Sequence, residues 1–113
     1  MIQHGSIVLV HLINPTEKFW GVLHELGVAG VLLRGINVAS FDEWMGQAAG
    51  REAPSLGLST MFVPLFRVER IFLDEPVGDV ESYRQRFARR VGLTVERFLD
   101  LEGRPHDGDE VPS

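Results

Sequence analysis

The run Ile7-Val8-Leu9-Val10-His11-Leu12-Ile13 constrains this chain more than any other segment, because both alternating faces of it are apolar apart from His11. Its β-branched residues favour a strand at so short a length. A strand hidden on both sides needs a cover on each, and 113 residues supply one core. Two arrangements satisfy that demand: a closed barrel under a helical cover, or a face buried against another subunit.

The segments that follow predict the rest of the barrel. Asn14-Pro15-Thr16-Glu17-Lys18 reads as a turn, with Asn at the opening position and Pro fixing φ at the next. Phe19 to Leu26 is a second strand, and Gly21 inside it permits a sharp bend. Gly27-Val28-Ala29-Gly30 is a tight connection to a third strand, Val31 to Asn37. Ser40-Phe41-Asp42-Glu43 matches a capping box, and Phe41, Trp44, Met45 and Ala48 follow at helical spacing, which predicts a short amphipathic helix over 41–49. Residues 50–60 lack either periodicity and read as a long mobile loop. Two further strands, Met61 to Val63 and Phe66 to Leu73, meet at a bend near Pro64, which cannot donate to a ladder.

Beyond the strands the period changes. Asp79 is the expected N-cap of a helix carrying Val80, Tyr83, Phe87 and Val91 on one face and ending at Gly92. Thr94 caps a last helix with Val95, Phe98 and Leu99 on one side, stopped by Gly103 and Pro105. The expected organisation is one domain, mainly β with α: a five-stranded, strongly bent barrel with its inserted helix over 1–76, a C-terminal helical pair over 77–103, and an acidic, disordered tail over 104–113.

Composition narrows the function classes. The chain has no cysteine, so disulfides, thiolate nucleophiles and cysteine metal sites are excluded. Eleven basic residues against sixteen acidic ones give a net charge of −5, the wrong sign for binding nucleic acid through the overall field. No apolar run approaches the ~18 residues needed to span a bilayer, and Met1 to Gly5 carry no basic stretch, so a cytoplasmic protein with no membrane partner is expected.

Ser6 to Asp74 resembles the bacterial Sm-like proteins. The likeness lies in the first strand Ile7–Ile13, the polar turn Asn14–Lys18, and the Gly-containing bent strand Phe19-Trp20-Gly21-Val22-Leu23. It continues in Val31-Leu32-Leu33-Arg34 and in Phe62-Val63-Pro64-Leu65-Phe66-Arg67-Val68-Glu69-Arg70-Ile71. The resemblance implies an SH3-like barrel that assembles through paired edge strands, and RNA as a ligand. At the family's RNA-contacting positions this chain has Gly27-Val28-Ala29-Gly30 and Val63-Pro64-Leu65, without polar side chains, so assembly is implied more strongly than RNA. The Phe-Val-Pro run with its following Val-x-x-Ile also resembles PRC-barrel docking modules.

Several constellations compete for a role. Arg34, Arg67 and Arg70 on the barrel, with Arg84, Arg86, Arg89 and Arg90 on the first C-terminal helix, are the candidate nucleic-acid contacts; for the helical four, a solvated face offsetting the helix dipole is the alternative. Phe87 to Phe98 is similar to the turn of a helix-turn-helix unit, but acids at Asp100 and Glu102 favour an αα-hairpin packed on the barrel. Phe41, Trp44 and Met45, with Phe62 and Pro64, are the candidate interface for a homo-oligomer or a protein partner, packing over the barrel end being the alternative. His4, His11 and His24 fit no metal-ligand spacing, Asp42 and Glu43 diverge by about 100° on a helix, and no nucleophile elbow or phosphate loop is present. Neither an enzyme nor a cofactor is expected, and a small molecule between barrel and inserted helix is the remaining alternative.

Overall fold

The computed structural model describes residues 1–53 and 55–103; the tail expected to be disordered lies outside them. Five antiparallel strands, β1 (Ile7–Leu12), β2 (Glu17–Leu26), β3 (Gly30–Asn37), β4 (Ser59–Pro64) and β5 (Val68–Leu73), form one sheet in the order β4-β3-β2-β1-β5. Among the described residues three α-helices, α1 (Phe41–Gly50), α2 (Tyr83–Val91) and α3 (Val95–Gly103), complete a mixed α/β fold.

The chain order forces the sheet to curl. In a flat sheet the edges β4 and β5 would lie four strand spacings apart, roughly 19 Å. Only the 3₁₀ turn Leu65–Arg67 joins them, and three residues rising about 2 Å each cannot bridge that gap. The turn is fastened at both ends, Leu65 N–H donating to Ala29 O at 3.0 Å and Ile13 N–H to Arg67 O at 2.8 Å. No ladder joins β4 to β5 among the described residues, so the expected closed barrel is corrected to a curled sheet with two unpaired edges.

Alternation along the strands sorts the apolar residues into two cores, which is how Ile7–Leu12 is covered on both faces. Val8, Val10, Leu12, Leu23, Val31, Leu33 and Val63 meet inside the curl. Ile7, Trp20 and Ile36 point the other way and are covered by Phe41, Trp44 and Met45 of α1, with Phe87 of α2 and Val95 of α3. Gly21 and Gly35 face each other on β2 and β3 because a Cβ at Gly21 would run into the Arg34 carbonyl oxygen.

Local signals differ from expectation at three points. Ser40 makes no capping bond, since the 3₁₀ turn Val38–Ser40 leads straight into α1; Asn37 caps that turn instead, its Oδ1 accepting from Ala39 N–H at 2.8 Å. Asp79 is not an N-cap. Ser82 and Gln85 form a reciprocal capping box that satisfies two orphan groups and starts α2 later, leaving Val80 off the helix, 70% exposed and bridged to Val77. The loop after α1, expected to be mobile, is tied by Gln47, which accepts from Ser55 N–H at 3.1 Å and donates to Leu56 O at 3.2 Å, while Leu58 is buried. Gly92 at φ 87° and Thr94, accepting from Arg97 N–H at 3.1 Å, end α2 and start α3 as read from the sequence.

Candidate functional site

Asp74 is the most conspicuous polar group, a carboxylate 5% exposed where β5 ends. Its Oδ1 accepts from Tyr83 N–H at 2.8 Å, and its Oδ2 from Arg84 N–H at 2.9 Å and Trp20 Nε1–H at 3.0 Å. The carboxylate therefore sits on the positive end of α2 and pins Trp20 at the centre of the aromatic core. With three donors directed at its two oxygens, Asp74 joins sheet to helices. Nothing around it in the sequence marks that role; it depends on α2 folding back over β5.

The arginines expected to contact nucleic acid are dispersed. Arg67 is locked into the curl, donating to Ile13 O at 3.1 Å, Pro15 O at 2.7 Å and Glu17 Oε1 at 3.0 Å. Arg84 pairs with Glu96 at 2.9 Å, Arg86 with Asp42 at 3.0 Å and Arg89 with Glu81 at 2.6 Å. Arg86 also lies 5.5 Å from the Phe41 ring and 5.1 Å from Tyr83, a cation–π clamp between α1 and α2. The bond from Arg89 holds the Glu81 carboxyl below its usual range. Arg84, Arg89 and Arg90 are exposed, and the Arg90 guanidinium lies near Gly46 of α1. Arg34 reaches Thr60 at 3.5 Å on the β3–β4 side, whereas Arg70 is exposed on β5 at the opposite edge. The three barrel arginines do not converge.

The expected interface divides in two. Phe41, Trp44 and Met45 are 0%, 1% and 3% exposed, so they are corrected from interface to core. Trp44 stacks near Phe87 at 5.1 Å and Trp20 at 5.6 Å, filling the space between sheet and inserted helix that the sequence leaves open to a small molecule. Phe62, in contrast, is 55% exposed on β4, and Pro64 is half-buried at the end of that strand.

Phe62 borders a shallow apolar groove of about 260 Å³ with Val28, Ala29, Gly30 and Leu32, and Glu25 as its one charged neighbour. Val28, Leu65 and Phe66 stand exposed at the same end of the sheet. At the other edge Phe72 of β5 is 41% exposed and meets the His11 ring edge-on at 4.9 Å. Phe62 and Phe72 were readable as strand residues, but which strands end the sheet depends on its curl.

His4 and His24 approach to 6.1 Å between ring centroids, and His4 Nδ1–H donates to the His24 carbonyl at 2.7 Å. Among the described residues no three metal-ligating side chains gather, and no helix is long and apolar enough to cross a membrane. Comparison with protein-family models, curated proteins and solved structures finds no match to this chain.

Proposed function

We propose that this chain is an Sm-like interaction module that assembles with copies of itself, β4 of one copy pairing with β5 of the next. The observation that carries the reading is the pair of free edges, each with an exposed phenylalanine on the outer face: Phe62 on β4 and Phe72 on β5. Unpaired edges are ordinarily blunted by charge, bulges or covering elements. The β4 sequence Ser-Thr-Met-Phe-Val-Pro contains no charged residue, and only its terminal Pro64 is a breaker. Edge pairing would satisfy its outward backbone groups and bring the two phenylalanines together over the seam.

An RNA-binding role through Arg34, Arg67 and Arg70 has less support, because Arg67 spends its donors inside the fold and β2 and β1 lie between Arg34 on β3 and Arg70 on β5. The test is light scattering at micromolar concentration. A mass of two or more subunits for the wild type, lowered in Phe62→Ser with an unchanged melting temperature, supports the reading; a monomeric wild type ends it.

A further inference from the structure

Three basic side chains from three strands stand in one row across the sheet. Lys18 on β2 is the register partner of His11 on β1, and His11 is the partner of Arg70 on β5. Residues directly opposite share a face, so all three project from the side that carries Leu9 and Trp20; the β1–β5 register shifts just beyond His11, where Glu69 is the extra residue. Lys18 and Arg70 are exposed there and His11 is half-buried.

Protonating His11 is unfavourable in the isolated protein, since it would set like charges opposite one another on neighbouring strands. Sixteen acidic residues could have neutralised the row. Yet among the described residues no carboxylate pairs with Lys18 or His11, and Arg70 has only Glu69 at 3.8 Å. Arg67, Arg84, Arg86 and Arg89 by comparison have carboxylates at 3.0 Å or less. Lys18 is the only lysine in the chain, and it stands in this row. Phe72 orders the other two members: the His11 ring meets it edge-on at 4.9 Å, and the Arg70 guanidinium lies 5.9 Å from its centroid. Burial first, then Lys18, with a smaller contribution from Arg70, push the His11 pKa down, while Glu69 opposes them.

We propose that the Lys18–His11–Arg70 row binds the phosphate group of a small phosphorylated ligand. The planar fork of Arg70 can donate two parallel bonds to phosphate oxygens, Lys18 adds a mobile point charge, and a ring N–H of His11 fills the space between them. The two outer members lie two strand spacings apart, about 10 Å between backbones, which long side chains span to converge on one tetrahedral anion. The ligand is small because Glu69 stands beside Arg70 at 3.8 Å and the chain carries −5 overall, so an extended polyanion would meet acid on leaving the site. The row lies on the face of the sheet, so the inference does not rest on edge pairing. A bound dianion favours protonated His11, whose other charged neighbours are Lys18, Arg70 and Glu69, so binding tightens as pH falls.

The experiment titrates the full chain with inorganic phosphate and with 5′-AMP, read by calorimetry and by the amide and imidazole resonances. The expected result is one saturable site with shifts centred on Lys18, His11 and Arg70. Lys18→Gln and Arg70→Gln should each weaken it about fivefold or more, and Arg34→Gln should leave it unchanged. Sulfate, a dianion throughout, should bind more tightly at about pH 6 than at about pH 8 in the wild type but not in His11→Gln. Non-saturable titration, or wild-type affinity in folded Lys18→Gln and Arg70→Gln, overturns the proposal. A ten-nucleotide RNA that binds far more tightly than 5′-AMP overturns the small-ligand assignment.

Discussion

Replacing Asp74 with alanine removes one acceptor group from three N–H donors, and the structure allows the loss to be apportioned. Trp20 is fully buried, so its Nε1–H is left without a partner or access to water, which costs about 1–3 kcal/mol. The Tyr83 and Arg84 amides lie at the more open start of α2, where water recovers part of each bond; losing this cap costs about 1 kcal/mol more, and the favourable charge at the helix end adds several tenths. The sum, roughly 2–5 kcal/mol, is a large part of the 5–15 kcal/mol that stabilises a domain of this kind. Urea unfolding followed by tryptophan fluorescence measures it. Asp74→Asn should fall between wild type and alanine, because an amide keeps one accepting oxygen but turns a second donor toward an N–H. The double-mutant cycle of Asp74→Ala with Trp20→Phe should give a coupling of about 1–2 kcal/mol. A loss below about 1 kcal/mol for Asp74→Ala, or additive single mutants, would refute the assignment of Asp74 as the joint between sheet and helices.

Other outcomes follow from the same contacts. Gly21→Ala should cost about 3 kcal/mol or more, because the new methyl meets the Arg34 carbonyl and the Gly35 backbone, neither able to withdraw; thermal denaturation measures it, with Gly27→Ala as a control that meets no backbone. Arg67→Ala should lower stability by about 1–3 kcal/mol, read by denaturant midpoint, since Ile13 O, Pro15 O and Glu17 lose their shared donor. The folded pKa of His11 lies below its unfolded value of 6.5, so the unfolded chain takes up the proton first and stability falls as pH drops below that value through the folded pKa. Stability curves of wild type and His11→Gln should therefore differ in slope across that window.

Elements whose signals are local were legible in the sequence. The meander β1–β2–β3 follows from Asn14-Pro15 and Gly27–Gly30, and the end of α2 from Gly92. Choices between competing local signals were not: Asp79 and Ser82 are both good caps, and Ser82 prevails because Gln85 returns its bond. The helical arginines look like one cluster in sequence because their partners Asp42, Glu81 and Glu96 come from three other places in the chain. Phe41, Trp44 and Met45 looked free to form an interface until α2 and α3 closed over them with the sheet behind. The basic row is likewise invisible along the chain, since Lys18, His11 and Arg70 meet only through the register of three strands.

Self-assembly through the sheet edges is tested most directly by amide hydrogen exchange of β4 and β5 at low and high protein concentration. Edge pairing predicts that outward-facing amides in Ser59–Val63 and Val68–Leu73 become protected as concentration rises, while those of the inner ladder between β1 and β2 do not change. Exchange at both edges that is independent of concentration, in a sample that stays monomeric, would contradict it.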